Sequence, residues 1–169
     1  KDSLLFTLEN LNAWNKLSNS FKNLPQVETV IAFGDLQKLI KDKNTRQFYI
    51  EPFIEDSINS NAELNTLKDE LFFKSPFYDK FLINTETKSV RTAINLKPSI
   101  VNTVKREEFI NRVLLPRVDA FEKAYNIDVR ISGMPYVRTK YSETIKAELG
   151  EFVILAIFVT SLIFFFFFR

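Results

Sequence analysis

The sequence predicts an α+β domain followed by a membrane-spanning helix, and three observations carry that prediction. Helix-spaced apolar stripes alternate along the chain with short segments of period two. Nearly all the charge lies before Glu151, although 26% of the 169 residues are charged. Phe152 to Phe168 then runs without a charge and holds Phe152, Phe158 and Phe164 to Phe168, seven of the eighteen phenylalanines. The first nine-tenths are written for water and the remainder for hydrocarbon.

The first helix is read in "TLENLNAWNKLSNSFKNLP", where Thr7 or Asn10 supplies the N-cap. Leu8, Leu11, Trp14, Leu17 and Phe21 share one face, and Leu24-Pro25 ends the element. A strand is expected from Val27 to Phe33, with Val27, Thr29, Ile31 and Phe33 on its inner side and a turn at Gly34-Asp35. Residues 35 to 60 are the least legible. Leu36, Leu39 and Ile40 suggest a short helix, and "RQFYIEPFIE" suggests a strand broken by Pro52. In "NAELNTLKDELFFKSPF" the residues Leu64, Leu67, Leu71 and Phe72 line a second helix, stopped by Ser75-Pro76.

Two strands joined around Glu86 to Lys88 follow in "KFLINTETKSVRTAINLKP", with Val90, Thr92, Ile94 and Leu96 on one face. A long helix then carries the stripe Ile110, Val113, Leu114, Val118, Phe121 and Tyr125, and Pro116 is expected to kink it. Ile127 to Ser132 reads as a strand with Ile127, Val129 and Ile131 inward, stopped by Gly133-Met134-Pro135. The order α-β-β-α-β that remains without the middle excursion is a ferredoxin-like, split β-α-β arrangement in need of one strand ahead of Lys1. The chain, which starts without methionine or a signal pattern, is thus read as a piece of a longer protein. Its parts are a domain at 1–136, a connecting amphipathic helix at 137–151 and the span at 152–169.

As a helix, Phe152 to Phe168 rises about 25 Å, close to a hydrocarbon core of about 30 Å. Thr160 and Ser161, its only polar side chains, can return their hydroxyls to the preceding turn. Arg169 after the span places the preceding domain on the outer side of the cytoplasmic membrane.

The chemistry-bearing residue types exclude much. A net charge of +2 without a basic stripe argues against nucleic acid, and the absence of cysteine and histidine removes thiol nucleophiles and Cys/His metal sites. No phosphate-binding glycine loop, nucleophile elbow or zinc-helix motif occurs, so no catalytic residue, metal ligand or cofactor is assigned and the chain is not read as an enzyme. Glu55-Asp56 and Glu107-Glu108 are sequence neighbours whose side chains diverge, as on a solvated surface. Phe72, Phe73, Phe77, Tyr78 and Phe81 form an aromatic patch suited to a greasy substrate path or to docking, or else to packing the excursion onto the sheet. Gly133, Met134 and Pro135 are a candidate hinge between domain and span.

Read together, "LFTLENLNAWNKLSNSFKNLPQVETVIAFGDL", "FLINTETKSVRTAINL" and "NIDVRISGMPYVRTKYSETIKAELGEFVILAIFVTSLIFFFFFR" resemble the first extracytoplasmic loop and second transmembrane helix of the resistance-nodulation-division superfamily. The MMPL-like or Patched-like exporter branch is nearest in flavour. Gln26 stands where that family tends to have a glycine, and Ser-Gly-Met-Pro matches the end of its last strand. The resemblance implies a proton-driven inner-membrane exporter of hydrophobic or lipid-like substrates, with the coupling acids on later helices. It also implies a periplasmic location for residues 1–151 and membrane lipid, substrate and a second porter subdomain as partners, and it admits a homo-oligomer. The rival reading is a membrane-anchored extracytoplasmic sensor or ligand-binding domain.

Overall fold

The computed structural model describes residues 4–42, 47–54 and 57–168. Mixed helix and sheet build the domain, and one long apolar helix leaves it at the C-terminal end. Helix α1 (Leu8–Asn19) is capped by Thr7, whose hydroxyl accepts from the Asn10 amide, and it lays Leu11 into the core. Strand β1 (Val27–Ile31) follows.

β1 differs from the expected strand in length and in face. It stops at Ile31, and Phe33–Asp35 form a 3₁₀ turn in which the Asp35 carboxylate accepts from the Ala32 amide. A bulge between Val27 and Thr29 breaks the alternation, so Val27 and Val30 are buried while Thr29 is exposed. The turn also needs its glycine for room rather than conformation. A β-carbon on Gly34 would lie 2.2 Å from Oδ1 of Asn15, a side chain only 7% exposed. Gly34→Ala is therefore expected to destabilise the domain by about 1–3 kcal/mol through overpacking, read as a lower urea midpoint.

The segment expected as a short helix at Leu36 to Ile40 is instead strand β2 (Gln37–Lys41), paired antiparallel with β3 (Phe48–Pro52). Phe48, Tyr49 and Ile50 are exposed on this hairpin, and β2 turns Lys38 and Ile40 to its half-buried side while Leu39 faces water, so its period of two is not written in apolar and polar residues. Pro52 closes β3 as anticipated. Helix α2 (Asn61–Asp69) is capped by Ser60 and buries Leu64 and Leu67, and its continuation Glu70–Lys74 widens into a π-helical turn that buries Leu71.

The expected hairpin after Phe81 forms only as β4 (Ile83–Asn84) against β5 (Ser89–Val90). Beyond Arg91 the chain changes partner, and β6 (Ala93–Leu96) pairs antiparallel with β1. Val90, Thr92, Ile94 and Leu96 stay on the half-buried side throughout, so the alternation survives the change. The short helix α3 (Pro98–Val101) leads to α4 (Val104–Phe109), a π turn at Ile110–Leu114, and α5 (Leu115–Tyr125). Pro116 has no amide to give to the turn before it, and the widened π turn sits directly ahead of it. Asn126 closes α5 in the left-handed conformation, φ 53°.

Residues 127 to 132, expected as the last strand, run without a ladder partner among the described residues. Ile127, Val129 and Ile131 still turn inward and alternate with exposed Asp128, Arg130 and Ser132. The pattern specified a half-buried extended segment, which is less than a paired strand. Among the described residues, sheet structure therefore consists of three two-stranded pairs, β1-β6, β2-β3 and β4-β5.

Two apolar clusters hold these parts. One joins Leu11, Phe33 and Leu36 to Leu64, Leu67 and Leu71. The other joins Phe21, Val27 and Val30 to Phe109 and Ile110, with Tyr136 packed at its margin. Tyr136 belongs to α6 (Met134–Phe168), a single helix through both the connecting segment and the expected span. At about 1.5 Å per residue its 35 residues reach about 52 Å. Its strongly apolar stretch has no residue buried against the domain.

Candidate functional site

The domain grips the first three turns of α6 through one face. Thr139, fully buried, donates to the Pro135 carbonyl at 3.0 Å and accepts Nε of Arg106 at 3.1 Å. The same guanidinium donates to the Val101 carbonyl at 2.9 Å, so Arg106 ties α6 to the end of α3. Arg138 donates to Oδ1 of Asn102 at 2.9 Å, and Asn111 donates to the Glu143 carboxylate. Lys146 reaches both carboxylate oxygens of Glu107 at 3.0 Å. Tyr136, Thr139, Glu143 and Lys146 recur at three- and four-residue steps, which places them on one side of the helix. That side meets the domain, and Arg138 adds one contact from beside it.

Charge within the grip is matched. The Lys140 ammonium, 2.9 Å from Glu143, holds that carboxyl below the ordinary value of 4.5, and the Asn111 amide adds to the effect. Reciprocally, the Glu143 carboxylate raises the Lys140 ammonium above its ordinary value. For Glu143 the folded value is the lower one, so its stabilising contribution is present above the ordinary carboxylate range and is lost as pH falls through the folded value. Glu143→Gln is accordingly expected to shrink the loss of urea resistance between neutral pH and about pH 3.5.

Gly133 opens the helix at φ 118°, a conformation other residues rarely adopt, and its carbonyl receives the Val137 amide at 3.0 Å. Met134 and Pro135 are already helical. Of the three hinge candidates, Gly133 is thus the residue where the backbone changes direction.

The aromatic candidates divide in two. Phe72 packs edge-on against Phe6 at 5.1 Å, and Tyr78 packs against Phe53 at 6.1 Å while its hydroxyl donates to the Gln37 carbonyl at 2.6 Å. Phe72 fastens the excursion to the segment ahead of α1, and Tyr78 ties the excursion's own hairpin to its later turn. Phe73, Phe77 and Phe81 are 81%, 83% and 59% exposed and offer a greasy surface to a partner. Nearby, a recess of about 250 Å³ is lined by Lys38, Phe53, Ile54, Ile58, Glu63 and Glu70 among others. Lys38 stands 3.8 Å from Glu51 and from Glu70, so its charge is already answered.

No group of three or more metal-ligating side chains occurs among the described residues. Of the acidic pairs, Glu107 holds Lys146 and Glu108 is exposed, whereas Glu55-Asp56 lies outside the described residues, as does Arg169. The grip on α6 escaped the sequence because each of its polar residues finds its partner in a distant segment. The i, i+3, i+7, i+10 recurrence of Tyr136, Thr139, Glu143 and Lys146 was the available signal.

No family model matches the chain, and no curated protein or solved structure matches it significantly. A mixed α and β domain continuous with one apolar helix long enough to cross a membrane is the class that the coordinates define.

Proposed function

We propose that the chain is an extracytoplasmic, porter-like subdomain of a proton-driven exporter of the resistance-nodulation-division type, anchored in the cytoplasmic membrane by α6 and serving hydrophobic or lipid-like substrates. One observation carries the reading. The helix that the domain grips through Arg106, Asn111 and Glu107 is the same helix that ends in an unburied, charge-free apolar stretch. Movement of the domain and movement of the span are then one event, as a gating subdomain requires.

The paired β1 and β6, flanked by α1 and α5, would supply one half of a ferredoxin-like sheet, to which residues 127–132 would add once a further strand joined them. Phe73, Phe77 and Phe81 are the proposed contact for substrate or for a second porter subdomain, and Gly133 is the proposed hinge. Binding and gating are its work, without bond-making.

Because the chain has no cysteine, single cysteines report its topology cleanly. A cysteine at exposed Ser57 or Thr87 should react with a membrane-impermeant maleimide in intact spheroplasts; reaction only after lysis would reverse the orientation. In proteoliposomes of the parent protein, an imposed proton gradient should drive efflux of a fluorescent lipid analogue, weakened when Phe73, Phe77 and Phe81 are replaced by serine. Outward topology with gradient-independent binding and no flux would favour the sensor.

A further inference from the structure

The helix that grips α6 holds one residue more than a regular α-helix would fit into its length. At the π turn Ile110–Leu114 the Leu115 amide donates to the Ile110 carbonyl, five residues back, while α4 and α5 keep α geometry on either side. Pro116 accounts for the widening. Its ring would meet the Arg112 carbonyl in a regular turn, and it has no N–H to give. The extra residue turns α4 by about 100° from where a straight continuation of α5 would put it. Every place on α4 is therefore held by the residue one ahead of the one that a straight helix would bring there.

This displacement bears on the adjacent residues of the helix. Glu107 holds Lys146 and Asn111 donates to Glu143, while their neighbours Glu108 and Arg112 are exposed and make no ion pair among the described residues. In a straight helix Glu108 would take the place of Glu107 opposite Lys146, and Arg112 the place of Asn111 opposite Glu143. Ile110 would fill the place of Phe109. Each replacement suits the partner it would meet, in charge or in apolar character. Arg106 has no such replacement, because Glu107 would arrive opposite Thr139 and the guanidinium would leave both Thr139 and the Val101 carbonyl. Asn111 would also follow Ile110 toward the core.

We propose that the π turn is a register switch for the domain's hold on α6. In the first register Arg106 and Glu107 clamp the helix. In the second the turn relaxes, α4 rotates by one residue, and Glu108 and Arg112 keep a looser hold through Lys146 and Glu143. Pro116, which resists the regular turn, and Arg106, which bonds only in the first register, set the bias between the two. The second register keeps the domain on the helix without the buried bond at Thr139, so domain and span can shift against each other and engage again. Its use in transport rests on the exporter reading.

The test sets nitroxide labels on exposed Val104 and Ala120 through cysteines, which the chain otherwise lacks, with the full chain in phosphatidylcholine vesicles. Double electron–electron resonance should give one main label separation for the parent chain. Pro116→Ala and, independently, Arg106→Gln should each add a second separation about 5 Å longer, as a 100° rotation of α4 against α5 requires. Adding Glu108→Gln or Arg112→Gln to either variant should cut the second population about threefold, although neither change alters the parent chain. A single separation in both variants overturns the proposal, and so does a second separation that ignores Glu108→Gln and Arg112→Gln. Proton-driven flux is measured apart from this: its absence would overturn the exporter reading and leave the register switch, and unmoved label distances would do the reverse.

Discussion

Arginines placed at Ile157 and Ser161 are expected to release the chain from membranes. Each costs about 2.5–3.5 kcal/mol at the centre of a spanning helix, so the pair removes about 5–7 kcal/mol of insertion free energy. The positions sit mid-way along the charge-free stretch, where none of the described residues packs on the helix to shelter a charge. Carbonate extraction measures the result directly. The parent chain should stay in the pellet and the double variant should move to the supernatant, with the domain still folded because, among the described residues, the side-chain bonds between domain and α6 end at Lys146. Retention of the double variant in the pellet would remove the span.

Replacing Phe109 by alanine is expected to cost about 3–5 kcal/mol of domain stability, the largest loss from any single side chain near the grip. Phe109 is 2% exposed and packs in the cluster with Phe21, Val27, Val30 and Ile110, directly between the gripping residues Arg106 and Asn111. A cavity there loosens α4 where α4 holds α6. Val104, on the same helix and 70% exposed, is the control, and its alanine variant should change stability by less than about 0.5 kcal/mol. Trp14, the one tryptophan, lies edge-on to Phe121 at 5.4 Å and makes urea unfolding in mild detergent readable by fluorescence. Equal midpoints for the two variants would refute the assignment of this cluster as the support of α6.

What was legible in the residues follows from asymmetry of burial. Leu11 on α1, Leu64 and Leu67 on α2, and Val118 and Phe121 on α5 each have water on the opposite face, and their helices were read from spacing alone. Strand β3 is legible in "RQFYIEPFIE", but its partner β2 is not, because Leu36, Leu39 and Ile40 fall at helical spacing and Leu39 faces solvent. The bulge after Val27 was hidden for a different reason. It changes the inward set from Thr29 to Val30, both of which suit a strand, and only the pairing with β6 chooses between them. Residues 127–132 show the converse, an alternation that records which side is shaded while leaving the partner unstated. Phe109 is as deeply buried as Ile110 beside it, and a stripe of one residue in three or four has room for either.

At the candidate site the aromatic patch was visible as composition, but its division into fastening and exposed members was not. Tyr78 is distinguished from Phe77 by a hydroxyl that meets the backbone of Gln37, 41 residues away in sequence.

The unbroken run of α6 from Met134 to Phe168 makes it a lever arm. Because the domain holds it as far as Lys146, a bend of about 10° at Gly150 would carry the far tip sideways by about 5 Å over the remaining length of about 27 Å. Gly150, about 24 Å along and with open space on every side, is the point at which such an arm would bend first, since glycine weakens a helix interior by roughly 0.5–1 kcal/mol relative to alanine. Torque applied at the globular end is therefore carried through the grip of Arg106 and Glu107 to a pliant spot at Gly150.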